Sequence, residues 1–256
     1  MNPSFSISIN TGEILALISI FQITSWIGFV SLKPYSPQET EELVRQGIYR
    51  LNGRGLLSKD QNKNYYIHAG FNKILTSVLE PAQVFTTYCE SQKAASWVFL
   101  HPSLHVIENR TDEGLEFITV KDIEGIREYL SSLWDLNRFE PEGFTPQGFI
   151  VDIQQVQDAQ SGNPNGIEAY FLKEKIPQAA WSMLKQLFGG SIRADSITQQ
   201  NPFLPEIVVE SFRWISLENY AWQITIEDDN GLPGKLRFER LTFAMIKDKI
   251  SRLLKP

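Results

Sequence analysis

Histidines offer the clearest potential for chemistry in this sequence. His101 and His105 are four positions apart, a spacing that on a helix would place both imidazoles where they could bind a metal ion. Pro102 separates them and the surrounding residues alternate as in a β-strand, which argues against a helix. No third histidine or cysteine lies nearby, since His68 is distant in sequence. We therefore predict that these histidines lie in strands or loops and hold no metal.

The other reactive residue types are also placed for structure or solubility. Cys89 follows Tyr88 in a predicted strand without a local histidine, which is typical of a buried thiol and not of a nucleophile. The acidic pairs Glu41-Glu42 and Asp228-Asp229 fall on a predicted solvated helix face and at a predicted hairpin tip. The sequence has no Gly-rich phosphate loop, nucleophile elbow or HExxH motif. We therefore predict a protein that is not an enzyme, with no catalytic, metal-binding or cofactor-binding residues.

Composition indicates a folded protein of ordinary charge. The 256 residues are 42% hydrophobic and 12% aromatic, which is typical of a globular chain. The net charge of -6 gives no overall attraction to nucleic acids or anionic membranes. A single cysteine cannot form an intramolecular disulfide and favours a reducing compartment. We therefore predict a cytoplasmic protein.

An apolar stretch near the N-terminus, residues 14–30, needs a separate interpretation. It contains polar residues such as Gln22, and no Lys or Arg precedes it as in a secretory signal. It is also shorter than the approximately 20 apolar residues of a spanning helix. Asn10 and Glu13 have the spacing of a helix cap and its partner. We predict a buried core helix that ends near Gly28 and no membrane span, with membrane association as the alternative.

Residues 36–79 read as a helix, a turn and a second helix packed back on the first. Ser36-Pro37-Gln38-Glu39 is a capping box that begins the first helix, Arg54-Gly55-Leu56-Leu57 forms the turn, and Pro81 ends the second helix. With strands 84–109 as a wing, this pair resembles a winged helix, so a DNA-binding regulator is the alternative function. That function requires basic residues on the second helix and the wing. The second helix offers only Lys73, with Lys63 just before it, and the strands offer only Lys93, so nucleic acid is an unlikely partner. The other basic residues, Arg45, Arg50 and Arg54, are predicted to form a solvated face of the first helix.

The remainder predicts an α+β fold of antiparallel sheets with covering helices. A β-meander over 84–120 is followed by a helix over 122–134, and residues 137–148 form a linker candidate. This divides the chain into halves, 1–136 and 149–256, or leaves one continuous domain. The second half is predicted to contain strands at 149–156 and 169–172, a polar loop at 158–166, a helix from 177 to about 188, a mobile loop at 191–205, strands at 206–215, 220–227 and 235–241, and a helix at 243–254.

The two halves carry similar patterns. Leu115 and Phe117 precede one closing helix, as Leu236 and Phe238 precede the other. The apolar positions of these helices also match: Ile123, Ile126, Leu130 and Leu133 against Phe243, Ile246, Ile250 and Leu253. Both an internal duplication and the chance similarity of two strand–helix units remain open.

Aromatic side chains suggest where a partner protein would bind. Trp97, Phe99, Trp214 and Trp222 fall in predicted strands. Most aromatic residues belong to the core. A sheet face on which several stayed exposed would be a platform for another protein.

The arrangement resembles the EspG family, cytosolic chaperones of type VII secretion. The resemblance rests on the turn at Arg54–Leu57 with its following helix, on the meander closed by the helix over 122–134, and on the unit from Trp214 through the 243–254 helix. Membership would imply a pseudo-duplicated α+β fold that binds a helical secretion substrate and keeps it soluble. We therefore predict a non-catalytic adaptor or chaperone for a protein partner, with its binding residues unassigned.

Overall fold

The computed structural model describes residues 5–24, 26, 35–139, 148–162, 166–217, 220–229 and 232–255. Its strands are β1 (Phe5–Asn10), β2 (Leu57–Lys59), β3 (Tyr65–Ile67), β4 (Gln83–Cys89), β5 (Ala94–Leu100), β6 (His105–Arg110), β7 (Gly114–Val120), β8 (Phe149–Asp152), β9 (Asp195–Gln200), β10 (Val208–Leu217), β11 (Tyr220–Asp229) and β12 (Leu232–Leu241). Its helices are α1 (Thr11–Phe21), α2 (Pro37–Gly53), α3 (Ala69–Leu79), α4 (Ile123–Leu133), α5 (Ile153–Gly162), α6 (Gly166–Lys173), α7 (Gln178–Phe188) and α8 (Phe243–Leu253).

Ten of the strands form one antiparallel sheet in the order β1-β7-β6-β5-β4-β9-β10-β11-β12-β8. Each half contributes an edge strand, then helices, then a four-stranded meander and a closing helix. The halves meet where β4 pairs with β9, with Thr86 opposite Thr198. The predicted fold class, α+β with antiparallel strands, covering helices and two similar halves, is confirmed. The division at 1–136 and 149–256 stays a prediction, because residues 140–147 of its linker lie outside the described residues.

Helices cover both faces of the sheet. On one face, α4 and α8 pack over a single core that draws side chains from both halves. Trp134 at the end of α4 meets Trp214 of β10 edge-on, with ring centroids 4.8 Å apart. On the other face, α1 and α3 cover the first half, and α5, α6 and α7 cover the second. The shared core on the first face therefore couples the halves by packing as well as by strand pairing.

A buried carboxylate also joins the halves. Asp195 begins β9 and is 3% exposed. Its Oδ1 accepts a hydrogen bond from the backbone N–H of Glu90 at 2.8 Å, and its Oδ2 accepts one from the Ser216 hydroxyl at 2.7 Å. One side chain thus fixes the end of β4 in the first half and the end of β10 in the second.

Capping explains why the first two long helices begin where they do. Asn10 and Glu13 form a capping box at α1, and Ser36 and Glu39 form one at α2, as predicted. However, α1 is shorter than expected: it ends at Phe21, where Gln22 adopts a left-handed conformation with φ of 52°. Within the described residues, no helix combines the length and apolarity that crossing a membrane requires.

The surroundings of the 36–79 helix pair differ from the prediction. The two helices are present as α2 and α3, but a β2–β3 hairpin separates them, and α2 packs mainly against α1. Strands β4, β5 and β6, assigned to a wing in the DNA-binding alternative, lie within the large sheet instead. The apolar side chains of these three strands pack in the cores on the two faces of the sheet, so the strands do not form a separate wing.

Four assignments in the second half were wrong. Residues 169–172 are helical within α6, because Ile167, Tyr170 and Phe171 share the buried face of a helix. The predicted strand over 149–156 stops at Asp152, and α5 occupies most of the predicted polar loop. The predicted mobile loop at 191–205 contains β9, whose sequence is too polar to indicate a strand. It is nevertheless a central strand, hydrogen-bonded to β4 and β10 on its two sides.

Two glycines permit the contact between α1 and α2. A Cβ atom on Gly47 would lie 2.0 Å from the carbonyl oxygen of Gly12, so only glycine fits there. Gly53, near the end of the same helix, has no heavy atom within 4 Å of the corresponding position.

The Gly47→Ala variant should therefore lose stability, because α2 must move away from α1 to accept the methyl group. We expect a loss of about 1–3 kcal/mol in the free energy of unfolding, the usual cost of overpacking, measured by urea denaturation. The matched control is Gly53→Ala, which should leave stability unchanged or raise it by up to about 1 kcal/mol through helix propensity. Equal stability of the two variants would contradict the close contact.

Candidate functional site

The residues singled out for chemistry do not come together. His68 caps α3, with its Nδ1 accepting from the Gly70 N–H at 3.3 Å, and His101 contacts the Ser103 hydroxyl in a turn. His105 begins β6, where burial lowers its pKa. Cys89 is buried, with Sγ 3.2 Å from the Leu133 carbonyl oxygen. Among the described residues, no group of three or more His, Cys, Asp and Glu side chains is arranged to hold a metal ion.

Charged residues on α2 have two different roles. Arg45 pairs with Glu42 at 2.7 Å on the solvent-exposed face, as predicted. Arg54 is also exposed, with 41% of its side chain accessible, but it donates in addition to the buried Glu13 carboxylate at 2.8 Å. The other oxygen of Glu13 accepts from the Asn10 backbone N–H. Arg54 therefore neutralises a buried charge, and Glu13 divides its two oxygens between this ion pair and the capping of α1.

A third buried carboxylate, Glu108 of β6, was not predicted from the sequence. It is 1% exposed, and its Oε2 accepts a hydrogen bond from the Trp26 indole N–H at 3.3 Å. No described residue hydrogen-bonds to its Oε1. Burial raises the pKa of Glu108 from 4.5 to about 8. It is buried beside Trp26, which belongs to the core of the first half.

Aromatic residues of the strands do not form an open platform. Phe99, Trp214 and Trp222 are buried, and Trp97 is half-buried, in the cores on the two faces of the sheet. The exposed apolar surface lies elsewhere, at the end of the β9–β10 hairpin. There, five large apolar residues are exposed, which we call the hairpin tip: Phe203, Leu204, Ile207, Val208 and Val209.

The hairpin tip is held in a defined shape. The side-chain oxygen of Asn201 accepts from the N–H groups of Phe203 and Leu204 at 2.9 and 3.1 Å. The Asn201 N–H donates to Ile207 O, and the Ile207 N–H donates to Leu204 O. This network leaves the Phe203 side chain 88% exposed. An apolar side chain presented by an ordered turn is typical of a binding surface.

A β-bulge lies next to the hairpin tip. Val208 is opposite Gln200 and Glu210 is opposite Gln199, so Val209 has no partner residue in β9. An extra residue of this kind bends its strand and increases the local twist. Val209 is 59% exposed.

Strands β10 and β11 are paired along only part of their length. They pair only from Trp214 opposite Gln223 to Leu217 opposite Tyr220. Within the described chain, Val208–Arg213 pairs with β9 alone, and Ile224–Asp229 pairs with β12 alone. We call the space between these two strand edges the open cleft. The hairpin tip and the C-terminal end of β11 lie at the end of the sheet where these two strands separate.

Comparison with known proteins adds a fold neighbour and no sequence relative. No protein family and no curated protein matches the sequence. Among solved structures, the chain is similar to the type VII secretion system chaperone EspG5 of Mycobacterium tuberculosis in complex with the PE25–PPE41 dimer. The TM-score is 0.61, and the match covers 98% of this chain and 96% of the other. The two chains share a fold. Their sequence identity is 11%.

The buried Glu108 predicts a specific pH dependence of stability. Its pKa is raised in the folded protein, so the unfolded chain loses this proton near pH 4.5 and the folded protein only near pH 8. Stability should therefore fall with rising pH across that interval, by up to about 1.4 kcal/mol per pH unit. The Glu108→Gln variant has no ionisable group at this position and therefore lacks this pH-dependent loss of stability. Its advantage over the wild type in urea denaturation should be small at pH 4 and grow toward pH 8.

The matched control for this experiment is Glu128→Gln, which changes an exposed carboxylate on α4. Its stability relative to the wild type should stay nearly constant with pH. If the difference in free energy of unfolding between Glu108→Gln and the wild type is equally independent of pH, burial does not raise the pKa of Glu108.

Proposed function

We propose that this protein is a non-catalytic adaptor or cytosolic chaperone that binds a helical, secreted partner protein through the hairpin tip. The observation that carries the proposal is the ordered, exposed cluster of five apolar residues around Phe203. The fold shared with the EspG5 chaperone, whose structure contains a bound protein dimer, supports the same role. The resemblance of the sequence to the EspG family supplies the secretion substrate as the partner.

The energetics of the hairpin tip fit protein binding. Burying one large apolar side chain contributes about 1.5–3 kcal/mol. Phe203 and Val209 are among the most exposed large apolar residues of the described chain. Such residues exposed together gain stability only when another surface covers them. An aromatic residue surrounded by aliphatic ones is also the usual composition of a binding hot spot.

The DNA-binding alternative gains nothing from the structure. Phe71, Ile74, Leu75 and Val78 turn one face of α3 into the core of the first half. Lys63 and Lys93 lie in turns with φ of 70° and 50°, outside any helix that could enter a groove. The burial of one face of α3 and the positions of these lysines therefore favour protein binding over DNA binding.

Replacing Phe203 with Asp should abolish partner binding without unfolding the protein. Phe203 is 88% exposed, so its loss costs the folded state little, whereas a carboxylate at the centre of an apolar interface stays unpaired. The measurement is purification from the native host, with mass spectrometry of stoichiometric partners and a thermal melt of each variant. We expect the partner to be lost and the melting temperature to be unchanged.

Tyr49→Asp is the matched control, because Tyr49 is 80% exposed on α2, outside the hairpin tip. It should retain the partner that the wild type retains. Recovery of no stoichiometric partner with the wild type, or of the same partner with Phe203→Asp, would reject the hairpin tip as the binding surface.

A further inference from the structure

The open cleft exposes backbone groups as well as side chains. In an antiparallel sheet, alternate residues direct their N–H and C=O groups toward each neighbouring strand. Among the described residues, Val208–Arg213 has β9 on one side and no strand on the other, and Ile224–Asp229 has β12 on one side and no strand on the other. Each edge is therefore a free row of hydrogen-bond donors and acceptors, which is the template that an added strand requires.

Strand edges of this kind are normally blocked. Natural proteins protect them with short strands, with Lys or Pro on the edge, or with a covering helix or loop. Here Val208, Val209 and Ile226 are exposed on the two strands, and β10 and β11 are each ten residues long. The bulge at Val209 bends β10 without covering it.

Exposed carboxylates outnumber cations on the β10 side of the cleft. From Asn201 to Arg213 the charged residues are Glu206, Glu210 and Arg213, all exposed, and the Arg213 Nε donates to the Ser211 hydroxyl. On the β11 side, Glu227 pairs with Arg237 at 2.6 Å. An occupant that carries Lys or Arg would complement Glu206 and Glu210, whereas an acidic one would be repelled.

We propose that the open cleft binds an extended, basic segment of the partner protein by strand addition, an inference that rests on the proposed function. A helix satisfies its own backbone groups and would leave those of the cleft unpaired. An extended segment rich in β-branched residues pairs with the edge through its backbone, and its Lys or Arg side chains reach Glu206 and Glu210. The hairpin tip and the cleft are continuous along β10, so one partner can contact both.

The test uses a phage-displayed library of random 12-residue peptides, selected on the full-length protein. Peptides that bind should alternate β-branched or apolar residues with Lys or Arg and should lack internal proline. The selected peptides are then synthesised, and their binding is measured by fluorescence anisotropy at two salt concentrations. We expect binding to weaken as salt rises, because the carboxylates of the cleft are exposed.

Amide hydrogen exchange, resolved by residue, distinguishes strand addition from contact with side chains alone. Binding should slow exchange at alternate residues of Val208–Arg213 or of Ile224–Glu227. The charge-reversal variant Glu206→Lys/Glu210→Lys should weaken binding on the order of tenfold at low salt, about the sum of two exposed ion pairs. The matched control Glu41→Lys, on the exposed face of α2, should bind as the wild type does.

Three outcomes would overturn the inference: no enriched peptide, enriched peptides that are acidic or become helical on binding, or protection outside the two strand edges. These failures differ from failure of the proposed function. If the native partner still depends on Phe203 while the peptides fail, the chaperone role stands and strand addition is wrong. If the peptides bind as described but no partner depends on Phe203, strand addition at the open cleft is supported and partner binding through the hairpin tip is rejected.

Discussion

Pairing between β4 and β9 is the contact on which the rest of this structure depends. It converts two meanders into one sheet of ten strands and allows α4 and α8 to share a core. Asp195 reinforces the junction from β9 by binding the backbone of Glu90 and the hydroxyl of Ser216. Because these are hydrogen bonds of a buried group, weakening one half would expose polar groups of the other.

The two halves share one topology and differ in strand length. In the first half, β5 and β6 pair from Phe99 opposite Val106 to Ser96 opposite Asn109, and both strands end soon afterwards. The corresponding strands of the second half, β10 and β11, pair over a similar distance but continue well beyond it. The extra length is what produces the hairpin tip and the open cleft. The longer strands of the second half therefore present an exposed surface, while α4 and α8 pack over the core that the halves share.

Sequence patterns predicted the parts of the fold that depend on local chemistry. The capping boxes at Asn10 and Ser36 mark the starts of α1 and α2, and the alternation of apolar residues indicates the first meander. The parts that depend on distant neighbours were missed. β9 contains few apolar residues, since β4 and β10 define it through backbone bonds. The hairpin tip was missed for the same reason: an apolar run beside Pro202 and Pro205 looks like any surface loop until its exposure is known.

The turn that Asn201 organises has a thermodynamic consequence for recognition. A loop that must become ordered on binding loses conformational entropy at that moment, and affinity falls accordingly. Here the ordering takes place when the chain folds, because the Asn201 side chain already holds the backbone of Phe203 and Leu204. Substitutions at Asn201, which is not one of the five apolar residues of the hairpin tip, would then lower affinity through the entropy of the free protein, while the apolar side chains that contact the partner stay the same.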